Sequence, residues 1–163
     1  MKKIKISVII GSESDIPVIK KGINILNRFG IDYDFKILSA HRTPGELIKY
    51  LDSLKKRGVE LIIAAAGKAA HLPGVIASNS LLPVIGLPVD SGLGGLDSLL
   101  SIVQMPKGIP VATVGINNME NAALLAVSIL SVKYPVLKKK ISDYRNEMKI
   151  EIFKKNYKLK DKL

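Results

Sequence analysis

The sequence contains no cysteine and no tryptophan, and it has only two histidines among 163 residues. The absence of cysteine excludes disulfide bonds and thiolate metal sites. No apolar run reaches the roughly 18 uncharged residues of a membrane-spanning helix. The apolar segment after the basic start is also too short for a signal peptide. With 47% hydrophobic residues, the chain is therefore expected to be globular and cytoplasmic, with no membrane partner, and to self-associate.

The basic charge is concentrated at the end of the chain. The net charge is +11, and residues 133–163 contribute +7 of it through eleven Lys or Arg and four acidic residues. This segment has helical periodicity, few aromatic residues and no RNA-binding motif, which favours a solvated helix face and no nucleic-acid partner. Salt-sensitive nucleic-acid binding through the segment is the competing interpretation.

Strand-like and helix-like segments alternate along the chain. The predicted strands are 4–10, 33–38, 59–66, 83–88 and 110–116. The predicted helices are about 16–29, 44–57, 73–81 and 96–104, one capped by Asn117 or Asn118 and ending near 132, and a basic one after Pro135. This alternation predicts a three-layer α/β/α, flavodoxin-like fold with a five-stranded parallel sheet in the order 2-1-3-4-5. Residues 1–133 are predicted to form this domain, and 134–163 a C-terminal helical extension.

Each histidine follows an apolar run predicted as a buried strand. His41 comes after 35–38 and His71 after 61–66. Ligands of open parallel sheets bind at the carboxyl ends of the strands, and imidazole is suited to proton transfer near neutral pH. Function is therefore favoured for His41 over a plain surface role. His71 is interpreted as a supporting residue, or as a helix-start residue bonded to the backbone. Two histidines without nearby carboxylates make a poor metal site.

Two loops carry groups that suit an anionic ligand. The 11–15 loop, Gly-Ser-Glu-Ser-Asp, opens a helix and offers hydroxyls and free N–H groups to a phosphate, while Asp15 suits a ribose hydroxyl. Ordinary N-capping by Ser14 or Asp15 is an equal alternative. Arg42 can clamp a phosphate or carboxylate, or pair with a neighbouring acid. Thr43 is predicted to cap the second helix, with Glu46 completing a capping box.

Four motifs together resemble those of the N5-carboxyaminoimidazole ribonucleotide mutases, the catalytic type of phosphoribosylaminoimidazole carboxylase. They are Gly-Ser-x-Ser-Asp at 11–15, Ser-Ala-His-Arg-Thr-Pro at 39–44, Ala-Gly-x-Ala-Ala-His-Leu-Pro-Gly at 66–74, and Asp-Ser-Leu-Leu-Ser-Ile-Val-Gln-Met-Pro at 97–106, followed by Gly-Ile-Pro-Val at 108–111. The Ala-Ala-His-Leu-Pro-Gly segment is similar to that of the class I mutases rather than the class II enzymes that use free CO2.

The resemblance implies an isomerase of purine biosynthesis that moves a carboxylate from a carbamate nitrogen to ring carbon C4 of a nucleotide. Direct carboxylation of aminoimidazole ribonucleotide, a lyase-type activity, is the alternative. The family resemblance further implies that the protein uses no metal, biotin or nucleotide cofactor and forms a homo-octamer. It also implies that the C-terminal helix packs on a neighbouring subunit. A flavin- or nucleotide-binding module on the same fold is disfavoured because no aromatic residue lies in these loops.

The same resemblance assigns roles to individual residues. His41 is the implied general acid and base, and Ser12, Asp15 and Arg42 bind the ribose phosphate region. Ala70, His71 and Leu72 line the pocket of the migrating carboxylate. The motifs add further substrate-binding residues, which are Gly11, Ser14, Ser39, Ala40 and Gly67. Lys68 departs from the family pattern, and a cation at this position either contacts the carboxylate or points to solvent. The 89–97 loop is one residue shorter than the bacterial loop.

Overall fold

A parallel sheet of five strands forms the centre of the computed structural model, which describes residues 5–159. The strands are Lys5–Ile10, Asp32–Ile37, Val59–Gly67, Val84–Val89 and Ala112–Thr113, here β1 to β5. Their order is β2-β1-β3-β4-β5, which confirms the predicted flavodoxin-like topology. The last residue of β1, Ile10, pairs with Ile37 of β2 and with Ala65 of β3. The loops after these three strands therefore begin side by side.

Six α-helices occur within residues 5–159, and both faces of the sheet are covered by helices. They are Ile16–Phe29, Pro44–Leu54, Leu72–Ser78, Leu96–Val103, Met119–Ser131 and Pro135–Leu159, here α1 to α6. Helix α1 ends as predicted at Gly30, whose φ of 73° is the left-handed conformation common after helix ends. The side chain of Asn118 accepts a hydrogen bond from the N–H of Asn121 (2.9 Å) and so caps α5.

One apolar core joins the sheet to helices α2, α3 and α4. Ile9 and Ile62 are fully buried on this face, where they pack in one cluster with Leu47, Ile76 and Ile102 of the three helices. On the opposite face, a methyl group at Gly22 of α1 would meet the Met119 backbone at 2.5 Å, so α1 and α5 approach closely there. The apolar strands β1, β3 and β4 are therefore covered on both sides, as is usual in a parallel sheet.

The prediction that the strand before His41 is buried was wrong. Phe35 and Ile37 are 37% and 48% exposed, and no residue of β2 is buried. The reason is the position of β2 at the edge of the sheet, where helices cover it less than they cover β1 and β3. The apolar residues of β2 resemble those of an interior strand in sequence. An edge strand and an interior strand of this composition are distinguished only by their position in the strand order.

Several predicted boundaries and one predicted cap differ from the structure. Helix α2 ends at Leu54 rather than 57, α3 at Ser78 rather than 81, and β5 has two residues rather than seven. The side chain of Thr43 makes no capping bond; it accepts a hydrogen bond from the N–H of Ser39 instead (2.9 Å). The predicted start of the first strand at residue 4 lies outside the described residues.

The chain divides into two compact units, Met1–Ala126 and Val127–Leu163. The described part of the second unit contains the end of α5 and the basic helix α6, which carries ion pairs between Lys139 and Asp143 and between Lys155 and Glu151. The predicted division at residue 133 stays a prediction, and residues 160–163 of the predicted extension lie outside the described residues. Among residues 5–159, no helix has the length and apolar character needed to cross a membrane.

Candidate active site

A cleft of about 510 Å³ lies at the carboxyl edge of the sheet. It is formed by the loops that follow the four adjacent strands β2, β1, β3 and β4, with contributions from the end of β3 and the start of α3. The lining residues are Gly11, Ser12, Ser14, Asp15, Ser39, Ala40, His41, Arg42, Ala66, Gly67, Lys68, Ala69, His71, Leu72 and Ser91. This is the edge where ligands of open α/β sheets bind.

The loop after β1 folds into a 3-10 turn, Glu13–Asp15, that leads into α1. Ser12 caps this turn, and its backbone N–H donates to the Asp15 carboxylate (3.2 Å) in a reciprocal capping box. The Ser14 hydroxyl donates to Ser12 Oγ (3.0 Å). The loop is therefore fixed by its own hydrogen bonds, while its serine side chains line the cleft. Asp15 occupies the N-cap position of α1, but its side chain makes no capping bond to that helix.

The protonation of Asp15, an acidic residue of this loop, is affected by its burial. Its side chain is buried, with 3% of the residue exposed. Burial raises the pKa of the Asp15 carboxyl above its usual value, and hydrogen bonds from the Ser12 backbone, the Ser14 hydroxyl and the Gly11 backbone partly offset this. A buried carboxylate at the wall of a cleft is a strong acceptor for the hydroxyl groups of a ligand.

The loop after β2 is joined to the loop after β1 by an arginine. Arg42 Nη2 donates to the carbonyl oxygen of Gly11 (3.1 Å). Within its own loop, the Arg42 N–H donates to Ser39 Oγ (3.2 Å), and the Thr43 hydroxyl donates to the Ser39 carbonyl (3.1 Å). These bonds hold the guanidinium over the cleft with further N–H groups available to an anion, because arginine has five donors.

The two histidines of the chain meet at this cleft. His41 Nε2 and His71 Nδ1 lie 2.9 Å apart, with the ring planes inclined by 71°. His71 occupies the position before α3, but its side chain makes no capping bond. Its imidazole contacts His41 rather than the helix backbone, so the alternative of a helix-start residue bonded to the backbone was wrong. The supporting role of His71 stays a prediction.

The loop after β3 requires a glycine at one point and tolerates strain at the next. A Cβ atom on Gly67 would lie 2.1 Å from Ser91 Oγ, so only glycine allows the ends of β3 and β4 to approach this closely. Lys68 has a φ of 56°, the left-handed conformation that costs an ordinary residue roughly 1–2 kcal/mol. The backbone conformation at Lys68 is therefore imposed by the surrounding structure and not by the conformational preference of lysine.

The structure brings together nearly all of the residues predicted to form the site. Eleven of the twelve line the cleft, and the exception is Ala70, which is buried in the apolar core instead. Ala66, Lys68, Ala69 and Ser91 also line the cleft although they were not among the predicted site residues. Ser91 follows the predicted fourth strand, so its place at the carboxyl edge was the available signal.

The arrangement can bind an anion and move a proton. Hydroxyl and guanidinium donors from the first two loops face the same space as a pair of imidazoles, and Asp15 adds a fixed acceptor. Within residues 5–159, no three His, Asp or Glu side chains are grouped as metal ligands. The fold and the cleft thus define a flavodoxin-like α/β protein with a candidate acid–base site for a phosphorylated or carboxylated small molecule.

Comparison with known proteins identifies the family. Residues 5–151 match the AIR carboxylase family, and the chain belongs to that family. It is 58% identical over 146 residues to the N5-carboxyaminoimidazole ribonucleotide mutase of Pyrococcus abyssi, covering 89% of this chain and 84% of the relative. It is 54% identical over 156 residues to the mutase of Thermotoga maritima, covering 95% and 91%. These matches confirm the resemblance found in the four motifs.

A solved structure agrees with the fold over nearly the whole chain. The crystal structure of Treponema denticola PurE superposes with a TM-score of 0.86 at 28% identity, covering 96% of this chain and 99% of that one. This chain therefore shares its three-layer architecture with that solved structure.

Proposed function

We propose that this chain is an isomerase of purine biosynthesis that converts N5-carboxyaminoimidazole ribonucleotide into 4-carboxyaminoimidazole ribonucleotide. The names of the relatives support this reaction, with six mutases at 50–58% identity. The observation that carries the proposal is the contact between His41 and His71, 2.9 Å apart, in a cleft that also holds anion-binding loops. One cleft thus combines donors for a nucleotide phosphate with a group for proton transfer.

We propose that the β1 and β2 loops hold the ribose phosphate of the substrate. The hydroxyls of Ser12 and Ser14 and the free N–H groups of Arg42 suit phosphate oxygens. Asp15 suits the ribose hydroxyls, because a carboxylate accepts two hydrogen bonds. Since Arg42 is already bonded to Gly11, its guanidinium needs little reorientation on binding. The remaining small residues, among them Ala40 and Gly67, allow the backbone to approach the ligand.

In the proposed chemistry His41 first gives a proton and later takes one. The bond between the carbamate nitrogen and its carboxylate breaks, the electron pair stays on nitrogen, and nitrogen receives the proton from His41. Ring carbon C4 then attacks the released CO2 and forms the new carbon–carbon bond. His41 removes the C4 proton, which restores the aromatic ring and the starting protonation state. One residue within reach of both positions is sufficient, because the two proton transfers are opposite in direction.

The test is an assay of purified protein with two substrates in parallel. One reaction contains synthetic N5-carboxyaminoimidazole ribonucleotide, and the other contains aminoimidazole ribonucleotide with bicarbonate. Rapid conversion of the carbamate, independent of added bicarbonate, is the expected result. Turnover only of the uncarboxylated nucleotide at high bicarbonate identifies a carboxylase instead, and no turnover of either nucleotide refutes the proposal.

We also propose that the chain works as a homo-octamer. Helix α4 and the turn before it expose a row of apolar side chains at helical spacing, which are Leu93, Leu96, Leu100 and Val103. Helix α6 exposes Met148, Ile150, Ile152 and Phe153 as well. Surfaces of this kind favour contact with another protein surface over contact with water. The C-terminal extension, 134–163, is proposed to pack on a neighbouring subunit.

Light scattering after size exclusion tests the assembly. We expect a mass eight times that of the 17.7 kDa chain, and a smaller assembly when residues 134–163 are deleted. A monomer at micromolar concentration contradicts the octamer. We propose a cytoplasmic location for the enzyme, because its charged nucleotide substrate does not cross membranes unaided.

A further inference from the structure

We propose that the Lys68 ammonium group binds the carboxylate of the substrate and makes the cleft selective for carboxylated nucleotides. This inference rests on the proposed function, because it assigns a residue to one group of that substrate. It goes further in naming a cation, outside the predicted site residues, as the determinant of which nucleotides bind well.

Lys68 is held at the cleft in spite of its backbone conformation. Its φ of 56° falls in the region that favours glycine, yet the residue there is a lysine that lines the cleft. The adjacent Gly67 is packed against Ser91, so the loop cannot relax by moving toward β4. Strained backbone conformations persist where the surrounding structure holds them, and they are concentrated at functional sites.

The ammonium group is available to a ligand. Within residues 5–159, the side chain of Lys68 forms no hydrogen bond or ion pair, whereas the Arg42 guanidinium on the loop after β2 donates to the carbonyl oxygen of Gly11. The long stem of lysine lets its charge follow a ligand group that changes position during a reaction. Migration of a carboxylate from nitrogen to carbon is a change of this kind.

The positions of the other donors assign Lys68 to the carboxylate rather than the phosphate. The serine hydroxyls and Arg42, which suit a phosphate, come from the β1 and β2 loops. Lys68 comes from the β3 loop, three residues before His71, and His71 contacts the proton-transfer candidate His41. The β3 loop therefore borders the reacting end of the substrate, which is the end that carries the carboxylate.

Binding of two ligands to the enzyme tests the assignment directly. The affinities of 4-carboxyaminoimidazole ribonucleotide and of aminoimidazole ribonucleotide, which lacks the carboxylate, are measured by calorimetry for the wild type and for Lys68→Met. We expect Lys68→Met to weaken binding of the carboxylated ligand about tenfold, the size typical of one charge-assisted hydrogen bond. Binding of the uncarboxylated ligand should stay the same, because both ligands keep the phosphate.

Matched variants separate charge from shape. Lys68→Arg should retain the preference for the carboxylated ligand, whereas Lys68→Gly, which suits the left-handed backbone, should lose it while folding normally. Lys20→Met removes one exposed lysine on α1, outside the cleft, and should change neither affinity. In steady-state kinetics, Lys68→Met should raise KM for the carbamate about tenfold without lowering kcat, because an ammonium stabilises a carboxylate more than neutral CO2.

Each contrary outcome has a distinct meaning. An equal loss of affinity for both ligands shows that Lys68 serves the phosphate, and no loss shows that it faces solvent; either result overturns the assignment. A wild-type enzyme that binds neither ligand overturns the proposed function as well. Failure of the Lys68 variants alone leaves the proposed function intact.

Discussion

His41 Nε2 and His71 Nδ1 face each other at 2.9 Å across the cleft, although 30 residues separate them in the sequence. A hydrogen bond between two imidazole nitrogens requires one donor and one acceptor, so only one of the facing nitrogens carries a proton. The tautomer of His71 therefore determines which form of His41 is stabilised. This contact links the β2 loop to the β3 loop through a proton.

Replacement of His41 by Asn should abolish most of the activity while the protein folds normally. General acid–base catalysis contributes about 10²–10⁴-fold to rate, and the amide of Asn cannot transfer the proton. We expect kcat for N5-carboxyaminoimidazole ribonucleotide to fall by that factor, with circular dichroism and assembly size unchanged. A folded variant with near wild-type turnover refutes the role of His41.

Replacement of His71 by Phe should have a smaller effect that depends on His41. The variant loses one hydrogen bond to the catalytic ring, a loss of about 1 kcal/mol, so kcat should fall about fivefold. Because His71 is proposed to act through His41, the double variant with His41→Asn should be no slower than His41→Asn alone. Additive losses in this double-mutant comparison indicate that His71 acts on the substrate independently.

Asp15→Asn should change stability in a pH-dependent way. Burial raises the pKa of the Asp15 carboxyl, so the folded state favours the neutral acid. The stability that this preference provides is present below the unfolded-state value near 4 and is lost as pH rises through the folded value. The free energy of unfolding of Asp15→Asn relative to the wild type should therefore increase between pH 4 and 7.

Urea unfolding at several pH values and fixed protein concentration measures this difference. The exposed residue Asp52 on α2 provides the control variant, Asp52→Asn. A difference for Asp15→Asn that stays flat with pH contradicts the argument. Substrate affinity should fall about tenfold in the same variant, because Asn accepts from ribose hydroxyls without a charge.

Gly67→Ala should disrupt the cleft by steric overlap. Its Cβ would lie 2.1 Å from Ser91 Oγ and 3.1 Å from the carbonyl oxygen of Val89, and overpacking of this kind costs typically 1–3 kcal/mol. Ser91→Gly in the same chain should recover part of the loss. Gly45→Ala is the control, because nothing lies within 4 Å of its new methyl group. Equal thermal stability of the Gly67 variant and the control would refute the close approach.

The order of the strands and most of the site were predictable because both follow local patterns. Apolar runs followed by polar loops mark parallel strands, and a parallel sheet gathers the loop residues at one edge, which is where His41 and His71 lie. The contact between them is not a local property. It depends on the adjacency of β1 to both β2 and β3, and no single segment of sequence carries that distance.

The incorrect predictions share a cause in long-range packing. Phe35 and Ile37 resemble core residues, but their exposure depends on the edge position of β2. Thr43 resembles a helix cap, but its hydroxyl bonds to Ser39 instead. Ala70 lies in a sequence motif whose other residues line the cleft, but its own side chain is buried in the core. The left-handed backbone at Lys68, two residues earlier, changes the direction of the chain before Ala70. Propensity describes each residue alone, whereas these outcomes depend on its neighbours in space.

The pairing of Ile10 with both Ile37 and Ala65 sets the positions of the loops that form the active site. The site can therefore form only when the three strands are in this register. A slip that keeps the same side chains facing the core must move a strand by two residues, and each such step moves its loop by about 6.6 Å. A displacement of that size exceeds the 2.9 Å that separates the two imidazole nitrogens. A chain trapped one step out of alignment would retain its secondary structure and have no catalytic centre. Enzymatic activity is therefore a sensitive assay for correct strand alignment during refolding, in which spectroscopy alone would count misaligned molecules as native.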